Sequence, residues 1–134
     1  MSTTTHKPKI LMTGLDTNAN IPPYFRSLRH PSRNQSQHQR RRARCKDAGY
    51  DVTIYFMYDQ NPQKGLDWLE AKLKETHFDG IMVGVGLRLI PEQTVFYEHV
   101  VNVARKTSPG SVLLFNEGPG KNYDAMQRNK ESLE

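Results

Sequence analysis

Four short apolar runs, separated by stretches with helical spacing, constrain this chain most. Residues 9–14 read KILMTG, 51–58 DVTIYFMY, 80–85 GIMVGV and 111–115 SVLLF. None alternates strictly between apolar and polar, as a strand with one wet face would, so strands covered on both faces are expected. Between them lie helix signals. Asn61 followed by Pro62 pairs an N-cap residue with a proline at the first helical position. Leu66, Leu69 and Leu73 then recur at spacings of three and four, with Trp68 beside them and Lys72, Lys74 and Glu75 facing out. A second helix is expected to start near Pro91, with Phe96, Tyr97, Val100, Val101 and Ala104 as its stripe and Ser108, Pro109 and Gly110 as its end. A last helix is expected over 123–133, with Met126 its main apolar contact.

Strand–helix alternation of this kind requires parallel strands joined by right-handed crossovers. The expected fold is therefore α/β: three layers around a small doubly wound parallel sheet of four strands, order 2-1-3-4, flavodoxin/Rossmann-like. With 134 residues there is room for one domain. The longest apolar run, 81–87, contains two glycines and is far too short to span a bilayer. Cys45 is the single cysteine, so neither an internal disulfide nor a cysteine-based zinc site is available. Residues 1–9 are polar without the apolar core of a secretory signal, and residues 1–8 are expected to be disordered. The cytoplasm is the expected compartment, with the nucleus an alternative that rests on one arginine run.

That run lies in the part of the chain that breaks the pattern. Thirty-six residues, 15–50, separate the first two strands. A crossover helix there would need an apolar stripe, yet between Arg26 and Lys46 the conventional apolar residues are Leu28, Ala43 and Cys45. The same interval holds eight Lys/Arg and no acid. Setting those eight aside leaves eleven basic residues against fourteen acids, so the net +5 of the chain becomes −3 elsewhere. Residues 26–46 thus read as a basic low-complexity insertion or a degenerate first helix. A loop over 28–37 is expected to be mobile, because fixing each backbone residue costs about 1–2 kcal/mol and Leu28 is the only large apolar side chain available to offset it. A short helix is expected only over 39–48, closed by Gly49 at its C′ position with Tyr50 after it. One sheet face would then be thinly covered. No aromatic residues are interleaved with the arginines, so specific nucleic-acid binding is not expected.

Four landmarks resemble a known family. They are Gly14-Leu15-Asp16 after the first strand, Ala48-Gly49-Tyr50-Asp51 before the second, Gly84-Val85-Gly86-Leu87-Arg88 after the third and Phe115-Asn116 after the fourth. Together they resemble a family of short uncharacterised Rossmann/flavodoxin-like α/β proteins of bacteria and fungi, over 9–15 and 48–128. The resemblance implies a fold and a site edge rather than an activity. Two departures stand out: Thr17 where the family usually has proline, and the Arg/Gln run in place of an ordinary amphipathic first helix.

In open parallel sheets ligands bind beyond the carboxyl ends of the strands, beside the first strand. That edge would gather Gly14, Asp16, Tyr58, Asp59, Gly84, Gly86, Arg88, Asn116, Glu117 and Gly118. Gly84 and Gly86 would bring bare backbone against a phosphate or carboxylate with Arg88 as its bidentate partner, or simply form a turn that packs the next helix. The dinucleotide fingerprint is absent, since Leu87, Arg88 and Leu89 follow Gly86. Asp16 and Glu117 are candidate acid/base residues across the switch point, or helix caps and turn residues. Asp59 reads as a turn residue, His99 as a surface histidine, and Cys45 as a thiol among arginines in the least ordered region. No second His or Cys stands at metal-ligand spacing.

The ligand-binding candidates are therefore Gly14, Asp16, Gly84, Gly86, Arg88 and Asn116, and the catalytic candidates Asp16 and Glu117. A receiver domain, a cobalamin domain and a flavodoxin each lack their characteristic residues here. The expected function is binding of a polar or anionic small molecule at this edge, with no cofactor, metal or reaction assigned. A noncatalytic interaction or homodimerisation domain is the alternative. Nonspecific, salt-sensitive nucleic-acid contact through the arginine run is a weaker one. No membrane partner is expected.

Overall fold

The computed structural model describes residues 7–15, 49–57, 60–116 and 122–133. Four parallel strands, β1 (Lys9–Leu15), β2 (Asp51–Met57), β3 (Gly80–Val83) and β4 (Val112–Phe115), form one sheet of order β2-β1-β3-β4. β1 pairs with β2 from Lys9 opposite Asp51 to Leu15 opposite Met57, and with β3 from Ile10 opposite Gly80 to Thr13 opposite Val83. β4 pairs with β3 from Gly80 opposite Val112 to Val83 opposite Phe115. The central strands β1 and β3 are buried on both faces apart from Lys9, whereas β2 and β4 at the edges are largely half-buried. This is why the apolar runs do not alternate. Pairing with β2 begins one residue before β1: Pro8, placed by its sequence in a disordered terminus, is buried, and its carbonyl accepts the Asp51 N–H at 2.8 Å.

Helices cover both faces, giving the three layers and the doubly wound order expected of the sequence. α1 (Pro62–Glu75), α2 (Val85–Leu89) and α3 (Thr94–Thr107) pack on one face. Leu69, Leu73, Leu87, Val100 and Ala104 there meet Leu11, Met57, Ile81 and Val83. α4 (Asn122–Arg128) and α5 (Lys130–Leu133) pack on the other, where Ala125, Met126 and Leu133 meet Ile10, Met12, Val52, Met82 and Leu114. Alternate side chains along each strand point to opposite faces, so the two clusters share no residue. No helix among the described residues is long and apolar enough to cross a membrane.

Local chemistry sets the boundaries. Asn61 caps α1, its side-chain oxygen accepting the Lys64 N–H at 3.3 Å, and Pro62 occupies the first turn. Trp68 projects from α1 onto Tyr55 of β2, the rings stacked with centroids 3.8 Å apart. The third strand was expected to reach Val85 but stops at Val83, and Val85–Leu89 forms α2. Pro91 opens a 3-10 turn (Pro91–Gln93), with α3 starting only at Thr94. On α3 Val103, rather than Val101, joins Tyr97 against the core. The expected single helix over 123–133 breaks at Asn129. There the side-chain Nδ2 donates to the Ala125 carbonyl at 2.8 Å, and the backbone N–H turns to Met126 instead. The break brings Leu133 down onto Gly80: a Cβ at position 80 would lie 2.8 Å from Leu133 Cδ2 and 2.9 Å from Leu114 Cδ1. Gly49 has φ +97°, a backbone conformation that favours glycine, and Tyr50 after it is buried. The expectations for 26–46, with the mobile stretch 28–37 and the short helix over 39–48, and for residues 1–6, lie outside the described residues.

Candidate functional site

The carboxyl ends of β1, β3 and β4 meet beside α2. As the chain leaves β3, the Gly84 N–H donates to the Thr13 carbonyl at 2.8 Å, prolonging the ladder by one bond. The Gly84 carbonyl accepts the Leu87 and Arg88 N–H groups. A Cβ at Gly84 would lie 3.0 Å from Thr13 O and 3.1 Å from Gly14 Cα, both backbone atoms. Glycine at 84 therefore serves the close approach of β1 and β3, and its amide is not left for an anion. Gly86 sits in the first turn of α2, half-buried, where a Cβ would make ordinary contacts with Leu15 and Ile90. Gly14 is buried in β1, with Phe56 Cδ1 3.9 Å from the position of a Cβ. Of the two readings of these glycines, the packing turn accounts for Gly84.

The polar groups converge one turn further on. Arg88, in the last turn of α2, donates from Nη2 to the Asn116 carbonyl at 2.9 Å. Asn116 follows β4 directly and is only 6% exposed. Its Nδ2 donates to Asn122 Oδ1 at 2.6 Å, and Asn122 Nδ2 in turn reaches Met12 Sδ at 3.8 Å, a weak acceptor. Two buried atoms of this cluster have no partner: Arg88 Nε and Asn116 Oδ1. A buried donor or acceptor left without a partner costs about 1–3 kcal/mol, so such atoms ask for an explanation. Arg88 also has no carboxylate partner among the described residues. From the other helical layer Arg128 donates to the Phe115 carbonyl, so two guanidiniums close the end of β4 from opposite sides. Tyr97 of α3 meets Phe115 edge-on below, with centroids 6.4 Å apart.

The structure thus unites Arg88 and Asn116 and sets Gly84 beside Gly14. Asp16, Tyr58, Asp59, Glu117, Gly118 and Cys45 lie outside the described residues. His99 is exposed on α3. Asn122 was missed; its signal was a polar, cap-type residue directly before the apolar residues of the last helix. Thr13 was missed too. It is a buried hydroxyl in a central strand, satisfied by donating to the Met82 carbonyl at 2.9 Å. Among the described residues no three His, Cys, Asp or Glu side chains are grouped to hold a metal ion.

A second concavity, about 460 Å³, opens at the end of β2 between Tyr55, Phe56, Gly65 and the exposed Gln60, Asn61 and Lys64. Its polar groups face solvent, so water satisfies them. At the Arg88–Asn116 cluster, by contrast, two polar atoms are buried and unpaired, and the chemical demand lies there. No protein-family model, curated protein or solved structure matches the chain.

Proposed function

We propose that this protein binds a polar or anionic small molecule at the carboxyl edge of its sheet, with Arg88 and Asn116 as the contacting residues. One observation carries the reading: the buried, unpartnered Arg88 Nε and Asn116 Oδ1, on two residues already joined by a hydrogen bond. Gly84 contributes by letting β1 and β3 approach closely, and Gly14 and Gly86 belong to the same proposed set. Asp16 and Glu117 remain the candidates for any chemistry, and the proposal assigns no reaction, cofactor or metal. Membership of the short Rossmann/flavodoxin-like family is part of the same proposal, supported by the parallel order β2-β1-β3-β4. The compartment it assigns is the cytoplasm, in keeping with a single cysteine.

A thermal-shift screen against carboxylic acids, nucleotides, flavins and coenzyme esters tests it, run on the wild type and on Arg88→Met. A ligand class that raises the wild-type Tm and leaves the variant unmoved supports the reading. An equal rise in both proteins would refute it. The interaction-domain alternative is favoured by a different observation. Leu89 (49% exposed) and Val95 (65% exposed) are exposed large apolar side chains at the corner of α2 and α3. Concentration-dependent sedimentation, abolished by Val95→Lys, would support that alternative.

A further inference from the structure

Resting on the proposed site, we infer that the group it receives is a carboxylate, held by Arg88 and by Asn116 after the Asn116 and Asn122 carboxamides turn over together.

As the pair stands, Asn116 leaves a buried acceptor, Oδ1, and Arg88 a buried donor, Nε, without partners, on residues joined through Arg88 Nη2 and the Asn116 carbonyl. That arrangement matches a group with one donor and one acceptor, such as a primary amide or a water. It does nothing for the charge of Arg88, a half-buried cation with no carboxylate partner among the described residues. An anion supplies what the guanidinium lacks, because charge-assisted hydrogen bonds are about twice as strong as neutral ones. The obstacle is Asn116 Oδ1, whose lone pairs would face the incoming anion.

The surroundings of the two amides remove the obstacle cheaply. A carboxamide is a donor and an acceptor of nearly the same shape, so turning it over exchanges the two. If Asn116 alone turned, its Oδ1 would face Asn122 Oδ1 and the 2.6 Å bond would be lost. If both turn, Asn122 Nδ2 donates to Asn116 Oδ1 and the bond survives with its polarity reversed. The interaction given up is the 3.8 Å contact from Asn122 Nδ2 to Met12 Sδ, the weakest in the cluster. Asn116 Nδ2 then joins Arg88 Nε as a second donor, and two donors suit a carboxylate. Among the described residues one cation lines this face of β4, since Arg128 is engaged with the Phe115 carbonyl from the opposite layer. A monoanion is therefore matched better than a phosphate dianion.

The test is a side-chain NMR titration of the full chain with acetate, acetamide and inorganic phosphate. It follows the Arg88 Nε–H and the NH₂ resonances of Asn116 and Asn122. Acetate is expected to shift all three and to bind more tightly than acetamide or phosphate. Met12→Leu, which keeps the core volume and the charge, removes the contact that the turnover must break. It is expected to tighten acetate binding by about threefold, a fraction of one ordinary hydrogen bond. Acetate shifting Arg88 but neither asparagine, tighter acetamide or phosphate binding, or unchanged or weaker acetate binding in Met12→Leu would each overturn the inference while the site itself stands. If none of the probes shifts the Arg88 Nε–H, none of them binds there, and the proposed site fails as well.

Discussion

The two ends of the sheet treat their polar groups in opposite ways. At the amino end the groups close on one another. Asp79 Oδ2 accepts the Lys9 N–H at 2.9 Å, and its backbone bonds both Lys9 and Val112. Ser111 donates to the Phe78 carbonyl at 2.5 Å and shares a hydrogen bond with Ser108. At the carboxyl end Arg88 Nε and Asn116 Oδ1 are buried and have no partner. Because a buried polar group without a partner lowers stability, the amino end is arranged for folding, while the carboxyl end retains a cost that the proposed ligand would remove. The difference separates residues whose loss should unfold the protein from residues whose loss should silence it.

Substitutions at the amino end should have the larger effects on stability. Gly80→Val places a branched side chain where Leu133, Leu114 and Ile10 already converge within about 3 Å. It is expected to cost about 3 kcal/mol, read as a fall in the urea midpoint. A midpoint within error of wild type would mean that α5 does not pack on the sheet as described. Asp79→Ala removes the acceptor of the Lys9 N–H and is expected to cost about 2 kcal/mol by the same measurement. Arg88→Met should change the midpoint least, by under about 1 kcal/mol. It loses the bond to the Asn116 carbonyl but also removes an unpaired buried donor. A loss in Arg88→Met larger than that in Asp79→Ala would reverse the contrast and make Arg88 a structural residue.

Much of this frame was legible in the residues, because burial on both faces writes itself as unbroken apolar runs and a parallel sheet needs crossovers between them. Ile10, Leu11, Met12, Met82, Val83 and Leu114 are buried strand residues as expected. Ile54, Phe56 and Leu113 are half-buried, on the edge strands or on the less covered side of β4. The start of α1 was readable because Asn61-Pro62 acts locally. The end of β3 was not: Val85 continues an apolar run, and only the approach of Gly84 to Thr13 shows why the chain turns there. At the site, Arg88 and Asn116 could be nominated because each follows a strand. Their union with Asn122 and Met12 could not, since it depends on how α4 packs across the other face. The packing role of Gly84 likewise rests on a single backbone hydrogen bond and a close approach to Thr13 and Gly14.

A crystal structure at high resolution, grown or soaked in acetate, tests the contrast between the two ends most directly. The account predicts a bound carboxylate at Arg88 Nε and the Asn116 carboxamide, with Asp79 and Ser111 bonded within the chain. Arg88 Nε and Asn116 Oδ1 each paired to a group of the protein itself, with nothing bound between them, would contradict it.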